Sequence, residues 1–163
     1  MSFERNKAQY SLMFNRDVAY AALPGTENVV ESKITSKDAR IETLNQFFAK
    51  YKSSLLPYAE DVVVAAEKYG LDWRLVPAIA MQESNLCMKE PKESYNCWGF
   101  GIYGKKVTRF DNYPQAIDTV SKSLASDYIN QGLITPEEIM SKYTPSNEGD
   151  WADSITHFMN QLQ

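Results

Sequence analysis

One interruption divides the helical patterning of this chain. Helical patterning begins near Thr35, stops over residues 87–112 and resumes near Asn112. The interrupting stretch, CMKEPKESYNCWGFGIYGKKVTRFDN, carries glycines, a proline and many aromatic residues, with no 3.6-residue period. A chain that is helical on both sides of such a segment reads as a mostly α domain with one irregular insert. Inserts held on rigid scaffolds are where binding and chemistry concentrate.

The flanking helices are marked by their ends as much as by their faces. Thr35 and Asp38 fit a capping box, and Ile41, Leu44, Phe48 and Tyr51 follow at helical spacing. A second helix is predicted over residues 57–69, with Pro57 at its start, Glu60 and Asp61 in its first turn and Gly70 to end it. Asp72 is placed to cap a third, whose stripe is Leu75, Val76, Ile79 and Ala80; Pro77 predicts a bend near its start. Within the insert, residues 98–103 and 106–110 read as two short strands turning at Gly104-Lys105. After it, Ile117, Val120, Leu124 and Tyr128 share a helical face stopped by Gly132. Thr135-Pro136-Glu137-Glu138 starts a short helix, and Trp151, Ile155, Phe158, Met159 and Leu162 mark the last. The expectation is about six helices with a small irregular β lobe after the third. The domain runs over residues 35–163, preceded by an irregular arm over 1–34 with a turn at Pro24-Gly25.

Charge and hydropathy exclude several classes. The net charge is −4, and lysines and arginines are scattered, so no basic stripe marks a nucleic-acid binder. Nothing predicts tight adhesion to anionic membrane, no stretch reaches transmembrane length, and the N-terminus lacks the apolar core of a signal peptide. Two settings stand: a cytoplasmic protein, or a chain whose export signal or anchor has been removed. Cys87 and Cys97 bear on that choice. Two reduced, packed thiols is one reading; a disulfide closing the loop, worth up to ~3 kcal/mol in the chain-entropy model, is the favoured one, and with it an extracellular, cell-surface or periplasmic location. With two cysteines and the single histidine His157, a zinc site is short of ligands, and no metal or organic cofactor is expected.

The third helix ends in AIAMQESN, where Glu83 occupies a position that its period assigns to the apolar face: Ile79 is four residues before it and Ala80 three. Desolvation there, and the negative end of the helix dipole, both favour the neutral acid. A carboxyl that keeps its proton near neutral pH can protonate a leaving-group oxygen, as glycosidic cleavage requires. The plain alternative is a solvated helix end. Directly after Glu83 the insert supplies Tyr95, Asn96, Trp98, Phe100 and Tyr103, aromatics and an amide suited to sugar rings, with glycines that admit a polymer close to the backbone. The same aromatics would also serve as a small second core.

AIAMQESN followed by YNCWGFGI and a late KYTP resembles the lysozyme-like superfamily. Its nearest branches are soluble lytic transglycosylases and bacterial N-acetylglucosaminidases, and the resemblance covers roughly residues 38–163. It implies an α+β lysozyme-like fold with a cleft between lobes. It also implies cleavage of β-1,4 bonds between N-acetylated sugars of peptidoglycan by one glutamate, here Glu83 of the Glu83-Ser84 pair. It places Asn96, Trp98, Gly99 and Phe100 in the cleft, and matches Tyr143 to the family's late tyrosine near the acid; simple core packing is the other reading of Tyr143. The Gly-Leu-Met-Gln segment usual in transglycosylases is absent, and WGFGIYG stands instead, which leans toward the glucosaminidase branch. Glu90, Glu93 and Asp111 are available as a second carboxylate, although each also reads as a loop charge and Asp111 as a helix cap. If none faces Glu83, substrate assistance or a 1,6-anhydro product is favoured over two-carboxylate hydrolysis.

The expectation is a monomeric enzyme acting on peptidoglycan or a related N-acetylated glycan. Its rivals are a non-catalytic glycan-binding or structural module on the same fold, and a cytoplasmic helical interaction domain.

Overall fold

The structure, a computed structural model, describes residues 39–144 and 150–163. The arm expected over 1–34 and the Thr35–Asp38 capping box lie outside the described residues.

Six α-helices are present among the described residues: α1 (39–50), α2 (Ala59–Tyr69), α3 (Leu75–Ser84), α4 (Tyr113–Asp127), α5 (Pro136–Tyr143) and α6 (Asp150–Asn160). Short 3-10 turns at Leu56–Tyr58 and Ile129–Gln131 precede α2 and follow α4. The mostly α expectation holds, and the ends fall where the chain signals them. Gly70 and Gly132 adopt φ of 68° and 84°, a region that costs glycine little, and stop α2 and the turn after α4. Thr135 and Glu138 complete a reciprocal capping box at α5, satisfying two amide donors that the helix leaves unpaired.

The third helix is the centre of the packing. Leu75 through Met81 are all buried, so α3 has no solvated face over that length and is covered by α6 and α4, while α2 packs on α4 and α5 on α6. Pro77 falls in the first turn of α3, where its missing N–H has no intrahelical partner to lose. Asp72 acts just ahead of the helix: its carboxylate accepts from the Arg74 amide at 2.9 Å and pairs with the Arg74 guanidinium at 2.6 Å, while Arg74, which flanks the first turn, makes no side-chain cap. Among the described residues no helix is long and apolar enough to cross a membrane.

The insert departs from expectation. In place of two strands it forms a single antiparallel bridge, Tyr103 to Lys106, around the predicted Gly104-Lys105 turn. The reason lies in its backbone and its polar side chains. Gly99 and Gly101 take φ of 64° and 61°, which breaks extended geometry. Asn96 then satisfies the backbone a strand partner would have met: its amide donates to the carbonyls of Phe100 and Thr108 at 2.8 and 2.9 Å, and its oxygen accepts from the Phe100 N–H at 3.0 Å. Trp98 anchors the segment in the core, fully buried, with Nε1 donating to the Val76 carbonyl at 3.0 Å. Truncating a side chain of that size in a packed core costs roughly 3–5 kcal/mol.

Candidate functional site

At the C-terminal end of α3 the chain turns sharply. Asn85, Leu86 and Cys87 all take positive φ, and the amides of Asn85 and Leu86 close on the Met81 and Ala80 carbonyls at 3.0 and 3.1 Å. That exit places Glu83 on one wall of an open cleft of about 530 Å³. Trp98, Gly99, Phe100 and Tyr103 of the insert line it, with Tyr143 of α5 and Ile79 of α3. The side opposite in sequence comes from Ser123, Asp127 and Tyr128 at the end of α4, and from Lys142.

Glu83 shares the face of Ile79, as the periodicity predicts, yet it is exposed, so burial against the apolar stripe is corrected. Face and burial separate here because the last turn of α3 borders the cleft rather than the core. One carboxylate oxygen, Oε1, accepts from the indole N–H of Trp151 at 2.9 Å; a Cβ added to Gly99 would stand 3.3 Å from the other, Oε2. Tyr143 is half-buried, donates through its hydroxyl to the Trp98 carbonyl at 2.9 Å and stacks on Trp151 with ring centroids 5.0 Å apart. Burial first, and then the negative charge of Glu83, push its phenol well above the ordinary tyrosine value, so it stays neutral.

Of the residues singled out from the sequence, Glu83, Trp98, Gly99, Phe100, Tyr103 and Tyr143 converge on the cleft. Others do not. Ser84 is buried beneath it, its hydroxyl donating to the Cys97 carbonyl and accepting from the Cys87 amide, both at 2.8 Å, which sews the helix end to the insert. Asn96 is buried and fully used within the insert. Tyr95 packs edge-on against Tyr113, away from the cleft lining. Cys87 and Cys97 form the expected disulfide. With Glu90 they make the cluster of metal-ligand atoms found among the described residues, but both sulfurs are committed to each other and offer no thiolate.

None of the three carboxylates considered as a second acid lines the cleft. Glu90 accepts from the Tyr113 hydroxyl at 2.7 Å beside the disulfide; burial pushes its carboxyl up, and the same burial pushes the Tyr113 phenol up to about 12. Glu93 is exposed on the insert, and Asp111 is exposed ahead of α4, whose cap is Asn112, accepting from the Gln115 amide at 2.9 Å. The carboxylate that does line the cleft besides Glu83 is Asp127. The hydroxyls of Ser123 and Ser126 donate to it at 2.6 and 3.0 Å and hold its carboxyl below the usual range. Lys142 binds the Asp127 carbonyl at 2.7 Å and lies over the Tyr128 ring at 5.2 Å.

Asp127, Lys142 and Trp151 escaped sequence reasoning. Trp151 read as core, which it is, at 3% exposure; its N–H meets Glu83 across 68 positions of chain, a pairing with no local signal.

No protein-family model matches the chain, and no curated protein matches it.

Proposed function

We propose that this chain cleaves β-1,4 glycosidic bonds between N-acetylated sugars of cell-wall peptidoglycan, with Glu83 as the general acid. The observation that carries the reading is the placement of the Glu83 carboxylate on the wall of an open cleft shared with Phe100, Tyr103, Tyr143 and the glycine-bearing backbone of residues 99–101. A carboxyl donor beside surfaces that stack on sugar rings is the minimum that acid-catalysed glycoside cleavage needs. The likeness of AIAMQESN, YNCWGFGI and KYTP to lysozyme-like enzymes supports it. The Cys87–Cys97 disulfide supports a location outside the reducing cytoplasm.

In this reading Tyr143, kept neutral, lines the acid's flank, and Asp127 takes the place of the second carboxylate sought among Glu90, Glu93 and Asp111. An ionised Asp127 stabilises positive charge developing on the sugar ring. Hydrolysis then competes with anhydro-sugar formation, and mass spectrometry of the products separates reducing from anhydro ends.

The direct test is Glu83→Gln. Glutamine keeps an oxygen to accept from Trp151 but has no transferable carboxyl proton, so release of soluble fragments from purified peptidoglycan is abolished while folding and co-sedimentation with the wall persist. Wild-type protein that binds peptidoglycan and chitin oligomers but releases nothing from either would replace the enzyme by a glycan-binding module.

A further inference from the structure

The hydrogen bond between Trp151 and Glu83 carries more than packing. Glu83 is otherwise an exposed side chain on a flexible stem, free to sample rotamers that point its carboxyl in different directions. Indole has one donor and no acceptor, so its N–H imposes a direction on whatever it meets. Here it meets Oε1 at 2.9 Å. The indole is itself fixed: it is 3% exposed in the first turn of α6 and stacked on Tyr143 at an interplanar angle of 27°. Tyr143 is in turn tied by its hydroxyl to the Trp98 carbonyl at 2.9 Å. The carboxyl is thus oriented through a connected set of groups on α3, α5, α6 and the insert.

That orientation differentiates the two oxygens. In a protonated carboxyl the carbonyl oxygen is the better acceptor, so the oxygen facing the indole N–H is the carbonyl and the proton resides on the other. The other is Oε2, which faces Gly99, where a Cβ would come to 3.3 Å.

We infer that Trp151 is a positioning residue for Glu83, holding Oε1 so that the transferable proton sits on Oε2 at the Gly99 side of the cleft. The inference rests on the reading of Glu83 as the acid. In the cleavage step the proton passes from Oε2 to the leaving-group oxygen as the sugar C1–O bond breaks with its electron pair going to that oxygen. Glu83 is left as the carboxylate, still hydrogen-bonded to Trp151; water or a sugar hydroxyl then forms the new bond to the sugar C1 and gives its proton to Oε2, which restores the acid.

The experiment replaces Trp151 by phenylalanine and, separately, by 3-benzothienylalanine, which keeps the fused ring and puts sulfur where the N–H was. Fragment release from purified peptidoglycan is followed for both, alongside wild type and Glu83→Gln. Loss of the fixed direction of the carboxyl predicts a fall in turnover of roughly tenfold or more with unchanged half-saturation. A purely structural Trp151 would lower the melting temperature and leave turnover per folded molecule at the wild-type level. If Trp151→Phe fails to fold, the benzothienyl variant decides. Should Glu83→Gln be inactive while the benzothienyl variant keeps wild-type turnover, the positioning role is overturned and the acid stands. Should wild type be inactive, or Glu83→Gln as active as wild type, both fall together.

Discussion

The hydroxyl of Tyr143 donates to the backbone carbonyl of Trp98 at 2.9 Å, fastening the end of α5 to the floor of the cleft. Its proton is thereby committed, and burial together with the charge of Glu83 keeps it on the phenol. Tyr143→Phe removes the hydrogen bond and keeps the ring stacked on Trp151. The expected cost is about 1 kcal/mol of stability, read by urea unfolding. Fragment release is expected to fall without vanishing, since the proposed acid is untouched; complete loss from a stably folded variant would give the hydroxyl a direct part in the chemistry.

Gly99 and Gly104 allow a controlled comparison. Both take left-handed φ, 64° and 58°, but a Cβ at Gly99 would meet Glu83 Oε2 at 3.3 Å, whereas nothing lies within 4 Å of one at Gly104. Alanine at either position costs roughly 1–2 kcal/mol of backbone strain. Only Gly99→Ala is expected to displace the carboxylate, so its loss of turnover exceeds that of Gly104→Ala at matched stability, measured by fragment release and thermal unfolding.

Removing the Cys87–Cys97 bond by double substitution with serine is expected to cost about 3 kcal/mol in the chain-entropy model, seen as a lower denaturant midpoint. Reducing agent should lower the midpoint of the native protein similarly and leave the double variant unchanged.

Glu90 makes stability depend on pH in a definite direction. Burial raises its carboxyl above the ordinary glutamate value, so the folded state holds the proton more tightly than the unfolded chain. The associated stability is present below the ordinary value and is lost as pH rises through the raised one. Glu90→Gln is expected to flatten the stability profile in the window just above the ordinary glutamate range, followed by thermal unfolding across mildly acidic pH.

What was legible in the chain was whatever short-range chemistry decides. Gly70 and Gly132 stop helices because only glycine enters the left-handed region cheaply, and the Thr135–Glu138 capping box is complete within four residues. The 3.6 period put Glu83 on the face of Ile79, and the structure keeps it there. Periodicity cannot say what covers a face, however, and this stretch of it borders a cleft, so Glu83 is exposed. The expected hairpin gave way because the Asn96 side chain answers the backbone groups that a second strand would have paired, a substitution that alternation of residues does not announce. Asp127 and Trp151 enter the site through tertiary packing of α4 and α6, which no window of sequence contains.

The chain has three tryptophans, and one of them, Trp151, donates its N–H directly to the candidate acid. The molecule therefore carries its own optical reporter. A ligand of the proposed kind that reaches Glu83 perturbs the excited indole of Trp151 through the hydrogen bond that joins them. Intrinsic emission, titrated with oligosaccharide or with acid, then follows occupancy and protonation of the site without a label and without turnover, so that a variant devoid of activity still yields a binding curve.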